Sequence, residues 1–107
     1  MVSDNQLREC GVKAYLVLDL AINDFAAFSP YIAAIPAHIA RHEGRYIVQG
    51  TEPTCIEGDW APQRLVIIEF PDRANAEAFL GDPTIQDLFK VRHETTTSKL
   101  VLVEGCS

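Results

Sequence analysis

Two seven-residue runs, AYLVLDL at Ala14–Leu20 and RLVIIEF at Arg64–Phe70, constrain the fold most. Both are rich in strand formers. Both carry apolar residues at odd and even positions: Tyr15 and Val17 against Leu16 and Leu18, Leu65 and Ile67 against Val66 and Ile68. Successive side chains of a strand point to opposite faces, so a sheet with one wet face alternates apolar with polar. These runs do not alternate, and both faces of their sheet must be covered. A chain of 107 residues has room for one core and one layer of helices. A second copy of the chain is the simplest cover for the other face, which predicts a homodimer.

The rest of the chain supplies that one layer. Asp24 is placed to cap a helix whose residues Phe25, Phe28, Ile32, Ile35 and Ile39 recur at spacings of three and four, and so share a face. Pro30 and Pro36 fall inside it and predict a kink or a broken first turn, and Gly44 predicts its end. Arg45–Gln49 is a short strand between glycines, followed by a loop from Thr51 to Gln63. After the third strand, Asp72 opens an alanine-rich helix to about Leu80. Gly81 breaks it, and Asp82-Pro83 restarts a helix carrying Ile85, Leu88, Phe89 and Arg92 on one face. Lys99–Val103 closes the sequence of elements. The order βαββαβ predicts an α+β ferredoxin-like fold, with a four-stranded antiparallel sheet and its helices on one face. The expected organisation is a tail over residues 1–12 and a single domain over residues 13–105.

Charge and composition exclude several functions. A formal net charge of −6 without any Lys/Arg run opposes nucleic acid and anionic membrane as partners. No apolar run approaches the length of a membrane span, and the first dozen residues lack the apolar stretch of a secretory signal, so a cytoplasmic location is expected. Cys10, Cys55 and Cys106 form no C-x-x-C pair and no zinc spacing. They read as free thiols, with Cys10 and Cys106, near the two termini, the one pair placed to meet. His38 and His42 stand four apart on a helix, a metal-binding spacing, but no third ligand is evident and no metal or other cofactor is expected.

The segment Pro36–Gly50 (PAHIARHEGRYIVQG), Glu57–Asp59 with Trp60, RLVIIEFP at Arg64–Pro71, Asp82-Pro83, Arg92 and Val103-Glu104-Gly105 together resemble a family of small bacterial proteins known only as a domain of unknown function. That family is similar to the dimeric α/β-barrel superfamily, whose members include muconolactone isomerases and small cofactor-free monooxygenases. The resemblance spans Ala14 to Gly105. It departs at three places: Glu43-Gly44 stands for a usual Gly-Gly, Gln49 for an arginine, and Asp82-Pro83-Thr84-Ile85 for Ser-Pro-Glu-Tyr. What it implies is a dimeric barrel holding a small organic ligand.

Candidate chemistry rests on a few residues. Arg92 sits in an apolar stripe and cannot lose its charge, so it must reach an acid, carbonyls, water or a bound anion. An anchor for a substrate carboxylate, a structural ion pair and a snorkelling side chain are all open. Glu69 and Asp19 are acids within apolar strands. Glu69 is the candidate general base, with a structural role beside it. Arg45 opens the second strand and is placed to pair with Glu69 or to hold an anion. Tyr15, on the strand face of Val17 and Asp19, and Trp60, in the long loop, complete the candidate binding set. The expected function is a cofactor-independent enzyme moving a proton on a small organic acid, carbonyl or aromatic compound. The alternative is a non-catalytic or stress-associated module binding a small ligand in the same cleft.

Overall fold

The computed structural model describes residues 12–106. The expected tail, apart from Val12, and Cys10 lie outside the described residues. Four strands and three helices follow in the order β1 (Ala14–Ile22), α1 (Phe25–Arg41), β2 (Arg45–Thr51), β3 (Arg64–Phe70), α2 (Arg73–Gly81), α3 (Gln86–Thr95) and β4 (Thr96–Glu104). The strands form one antiparallel sheet in the order β2-β3-β1-β4, so each βαβ unit straddles a strand of the other. This is the ferredoxin-like arrangement, with the second helix of the pattern divided in two. No helix among the described residues is long and apolar enough to cross a membrane.

The core lies between the helices and one sheet face. Ala14, Leu16, Leu18 and Leu20 of β1 and Val66, Ile68 and Phe70 of β3 are buried there against Phe28, Ile35 and Ile39 of α1, Phe79 of α2 and Ile85 and Phe89 beside and on α3. The residues of opposite parity form the outer face. Val17 pairs with both Ile67 and Val101, and Tyr15 with Glu69 and Val103. Val101 is 59% exposed and Val103 49% in the single chain.

Local chemistry explains the boundaries. Asp24 caps α1 by accepting from the Ala27 amide at 3.1 Å, and Asp72 caps α2 through Asn75 at 2.8 Å. α1 runs through Pro30 and Pro36 as one helix, without a broken first turn. Proline brings no N–H to the Ala26 carbonyl, and the Ser29 hydroxyl donates to that oxygen at 3.0 Å instead. The helix ends on Glu43, whose φ of 63° lies in the left-handed region, while the Gly44 amide closes back onto the Ile39 carbonyl at 2.9 Å. Gly44 serves close approach: a Cβ there would meet Phe70 Cε1 at 2.6 Å and Ile39 Cγ2 at 2.9 Å.

Asp82 does not cap α3 as its position before Pro83 suggests. Its Oδ1 accepts from the Thr84 amide and hydroxyl in a local turn, and α3 begins only at Gln86. Oδ2 of the same carboxylate binds His42 Nε2 at 2.7 Å and Arg41 Nη2 at 2.6 Å, tying the end of α1 to the α2–α3 junction. His42, at the end of α1, therefore meets a carboxylate. β4 starts at Thr96, three residues earlier than Lys99, because the β-branched Thr95-Thr96-Thr97 passes from helix to strand with no loop.

Candidate functional site

A cavity of about 380 Å³ opens between the inner sheet face and α1. Leu20, Val66 and Ile68 from β1 and β3 form its floor, and Phe28, Tyr31 and Ile35 of α1 its roof. Phe25 and Ile32, expected in the buried helix stripe, are exposed along its open side. The buried stripe of α1 is instead Phe28, Tyr31, Ile35 and Ile39. The physical reason is that the buried stripe centres on Phe28, Tyr31, Ile35 and Ile39, which leaves Phe25 and Ile32 at its margin beside the cavity. The size is that of a small-ligand pocket.

Four polar groups interrupt the apolar lining: the Tyr31 and Tyr46 phenols, the Gln49 amide and the Arg64 guanidinium. Burial pushes the Tyr46 hydroxyl up to about 12, with Tyr31 adding to the effect. Burial also raises Tyr31, which stacks on Phe28 with ring centroids 5.0 Å apart, but the Arg92 guanidinium beside it pulls in the opposite direction. Both phenols therefore remain protonated donors at neutral pH. Arg64 is exposed at the rim, its Nη1 3.5 Å from the Gly50 carbonyl oxygen.

Gln49 reaches this cavity through a fault in the strand. Arg45 pairs with Glu69 and Tyr46 with Ile68, but Val48 then pairs with Ile67, leaving Ile47 as an extra residue. By simple alternation Gln49 shares the face of Arg45. The bulge at Ile47 turns it to the opposite side, where it pairs with Val66.

The outer face holds a second polar group. Arg45 Nε donates to Glu69 Oε1 at 2.9 Å, and Lys13 Nζ stands 3.6 Å from the same oxygen. Arg45, with lesser help from Lys13 and the Tyr15 hydroxyl, holds the Glu69 carboxyl below its usual range despite partial burial. Burial and the neighbouring Glu69 raise Tyr15. At the other end of that face Trp60 Nε1 donates to Asp19 Oδ2 at 2.8 Å, drawing the long loop over the strand.

The structure thus brings Tyr15, Arg45 and Glu69 together, as the parity of the strands predicts, and places Trp60 on the same sheet face through Asp19. Arg92 is elsewhere, 5% exposed on α3. None of the five lines the cavity. The cavity residues Tyr31, Tyr46, Gln49 and Arg64 were not among the expected site residues. Tyr31 carried a signal, since it stands three residues after Phe28 and four before Ile35. Gln49 carried none that alternation could reveal.

The family model described as "Domain of unknown function (DUF1330)" matches residues 13–106. None of the curated proteins matches the chain in sequence. Among solved structures it is similar to RPA0582 of Rhodopseudomonas palustris, a protein of unknown function, with a TM-score of 0.74 and 16% identity over 100% of this chain and 96% of that one. It is also similar to SnoaB of Streptomyces nogalater, a cofactor-independent oxygenase, with a TM-score of 0.61 and 17% identity over 90% of this chain and 95% of that one. At these identities the likeness is one of fold.

Proposed function

The chain belongs to the DUF1330 family, and from that premise we propose that it is a small-molecule enzyme working by proton transfer in the cavity under α1, without a cofactor. The observation that carries this reading is the cavity itself: apolar walls sized for one small ring, with two protonated phenols and an amide turned inward. Such walls favour a flat aromatic or carbonyl compound, and the phenols stabilise negative charge that develops on its oxygen as a proton leaves. SnoaB, a cofactor-independent oxygenase, shares the fold and lends the same direction to the reading.

In this reading Glu69 and Arg45 form a structural pair rather than a base and an anchor. A carboxylate held by a guanidinium and lowered in pKa is a weak proton acceptor, and it lies across the sheet from the cavity. With Tyr15 and Trp60 it belongs to the outer face, which we assign to contact with a second copy of the chain. Val17, Ile67, Val101 and Val103 give that face an apolar centre. Sedimentation at micromolar concentration is expected to show two chains, and Val101→Asp to shift them towards one. A monodisperse wild-type monomer would remove the dimer from the proposal.

One observation favours the non-catalytic alternative. Among the described residues no carboxylate or imidazole lines the cavity to serve as a general base. The experiment that separates the readings is hydrogen exchange in heavy water, followed by NMR, on phenols and enolisable carbonyl compounds. Exchange catalysed by wild type and blocked by Ile32→Trp, which fills the mouth, supports the enzyme. Binding without exchange above background supports the module.

A further inference from the structure

Arg92 is a buried charge that no carboxylate among the described residues compensates. Its Nη1 donates to Ser98 Oγ at 2.7 Å and its Nη2 lies 3.4 Å from His93 Nε2, and neither partner is a carboxylate. The guanidinium carbon sits 5.8 Å from the Phe89 ring centre, and the Nε, fully buried, has no partner. No ion pair among the described residues includes it. A guanidinium cannot shed its proton, and burying one without an anion is costly.

Tyr31 sits on α1, the helix that packs against α3 and its Arg92. Its ring lines the cavity, and its hydroxyl is the group on which Arg92 acts. Tyr46 faces Tyr31 from β2. Arg64, from β3, is the other cation of the lining, and it lies exposed at the rim. Arg92 itself does not line the cavity, so its fork of donors is not open to a carboxylate. The cavity meets at this end one hydroxyl backed by positive charge, which suits one oxygen.

We propose that the cavity takes a small flat acidic hydroxyl compound, a phenol or an enolised carbonyl compound, and binds it as its anion. The ligand oxygen accepts from Tyr31, and Arg92 is the positioning residue that supplies the counter-charge. This rests on the cavity reading above and names its substrate class. Only the ligand O–H bond breaks. Its proton leaves to water at the open side, and Tyr31 keeps its own proton for the hydrogen bond. The bound anion gives the buried guanidinium the negative charge that no described residue provides.

The test uses 4-nitrophenol, whose absorbance separates phenol from phenolate, with nitrobenzene as a neutral companion. Wild type is expected to bind the phenolate about 10- to 100-fold more tightly than the phenol, the range of a charge-assisted hydrogen bond. The bound probe then ionises at lower pH than the free one. Tyr31→Phe keeps the ring stacked on Phe28 and is expected to bring the preference near unity while nitrobenzene still binds. Arg92→Met is expected to do the same. If that variant fails to fold, Arg92→Lys, which keeps the charge, should retain part of the preference. A bound probe that stays neutral overturns the proposal, as does a preference that survives Tyr31→Phe or falls only with Arg64→Gln. If neither probe binds, the cavity reading falls and takes this one with it. If nitrobenzene alone binds, only the charge assignment is lost.

Discussion

Replacing Glu43 by glycine should stabilise the protein. Glu43 is exposed, makes no side-chain hydrogen bond or ion pair among those described, and holds φ at 63°. A left-handed backbone costs an ordinary residue about 1–2 kcal/mol relative to glycine. Glycine gives back about 0.4–1 kcal/mol through its greater freedom in the unfolded chain. Removing a carboxylate from the end of α1, where the helix dipole is negative, adds about 0.3 kcal/mol or more. The net is a stabilisation of about 1 kcal/mol, or a rise of roughly 4 °C in Tm for a domain of this size. Urea denaturation at fixed protein concentration measures it, with an unchanged slope showing that the surface exposed on unfolding is the same. Gly44→Ala is the contrasting variant. Its Cβ would enter the Phe70 and Ile39 side chains, so a loss of about 1–3 kcal/mol is expected. A Glu43→Gly protein no more stable than wild type, or a Gly44→Ala protein as stable as wild type, would refute this account of the turn.

Three further outcomes follow from the packing and the charges. Ile39→Ala empties space in the core beneath α1 and should lose about 2–5 kcal/mol in urea denaturation. Asp82 is held well below its usual range by Thr84, His42 and Arg41. Its contribution is therefore present above the unfolded carboxyl value near pH 4 and lost as pH falls below it. Asp82→Asn should flatten the acid limb of a stability–pH curve and lower stability at neutral pH; an unchanged acid limb would assign that limb to other groups. Tyr46 is raised to about 12, so its contribution holds below the ordinary tyrosine value near pH 10 and is lost as pH rises towards 12. Tyr46→Phe should blunt alkaline unfolding followed by circular dichroism.

The architecture was legible because its signals are local and repeated. Ala14–Leu20 and Arg64–Phe70 announce strands with apolar residues on both faces, and the glycines and capping aspartates mark the turns. Arg45 and Glu69 could be paired from hairpin geometry, since the two one-residue register shifts between them and the loop cancel in parity and leave the shared face unchanged. The cavity was less legible. A helix stripe reports which residues turn inward, but not whether they meet side chains or open space, so Phe25 and Ile32 read as core. Gln49 was hidden for a different reason: alternation counts residues, and a bulge inserts one without any mark in RYIVQG. The burial of Arg92 could be expected from its stripe, whereas its lack of an acid depends on three elements converging.

The faults in β2 bear on how copies of this chain avoid clumping. β2 is an edge strand, and a long regular edge offers a row of free N–H and C=O groups on which a strand of another molecule can grow. Here the pairing with β3 shifts twice, between Tyr46 and Val48 and between Gln49 and Thr51, and Gly50 turns with a φ of 85°. Each shift bends the strand and breaks the even spacing that an added strand must match. The edge is a poor template for fibrous stacking, even though the sequence RYIVQ is rich in residues that favour it. The same irregularity that turns Gln49 towards the cavity thus also guards the sheet against open-ended growth at that edge.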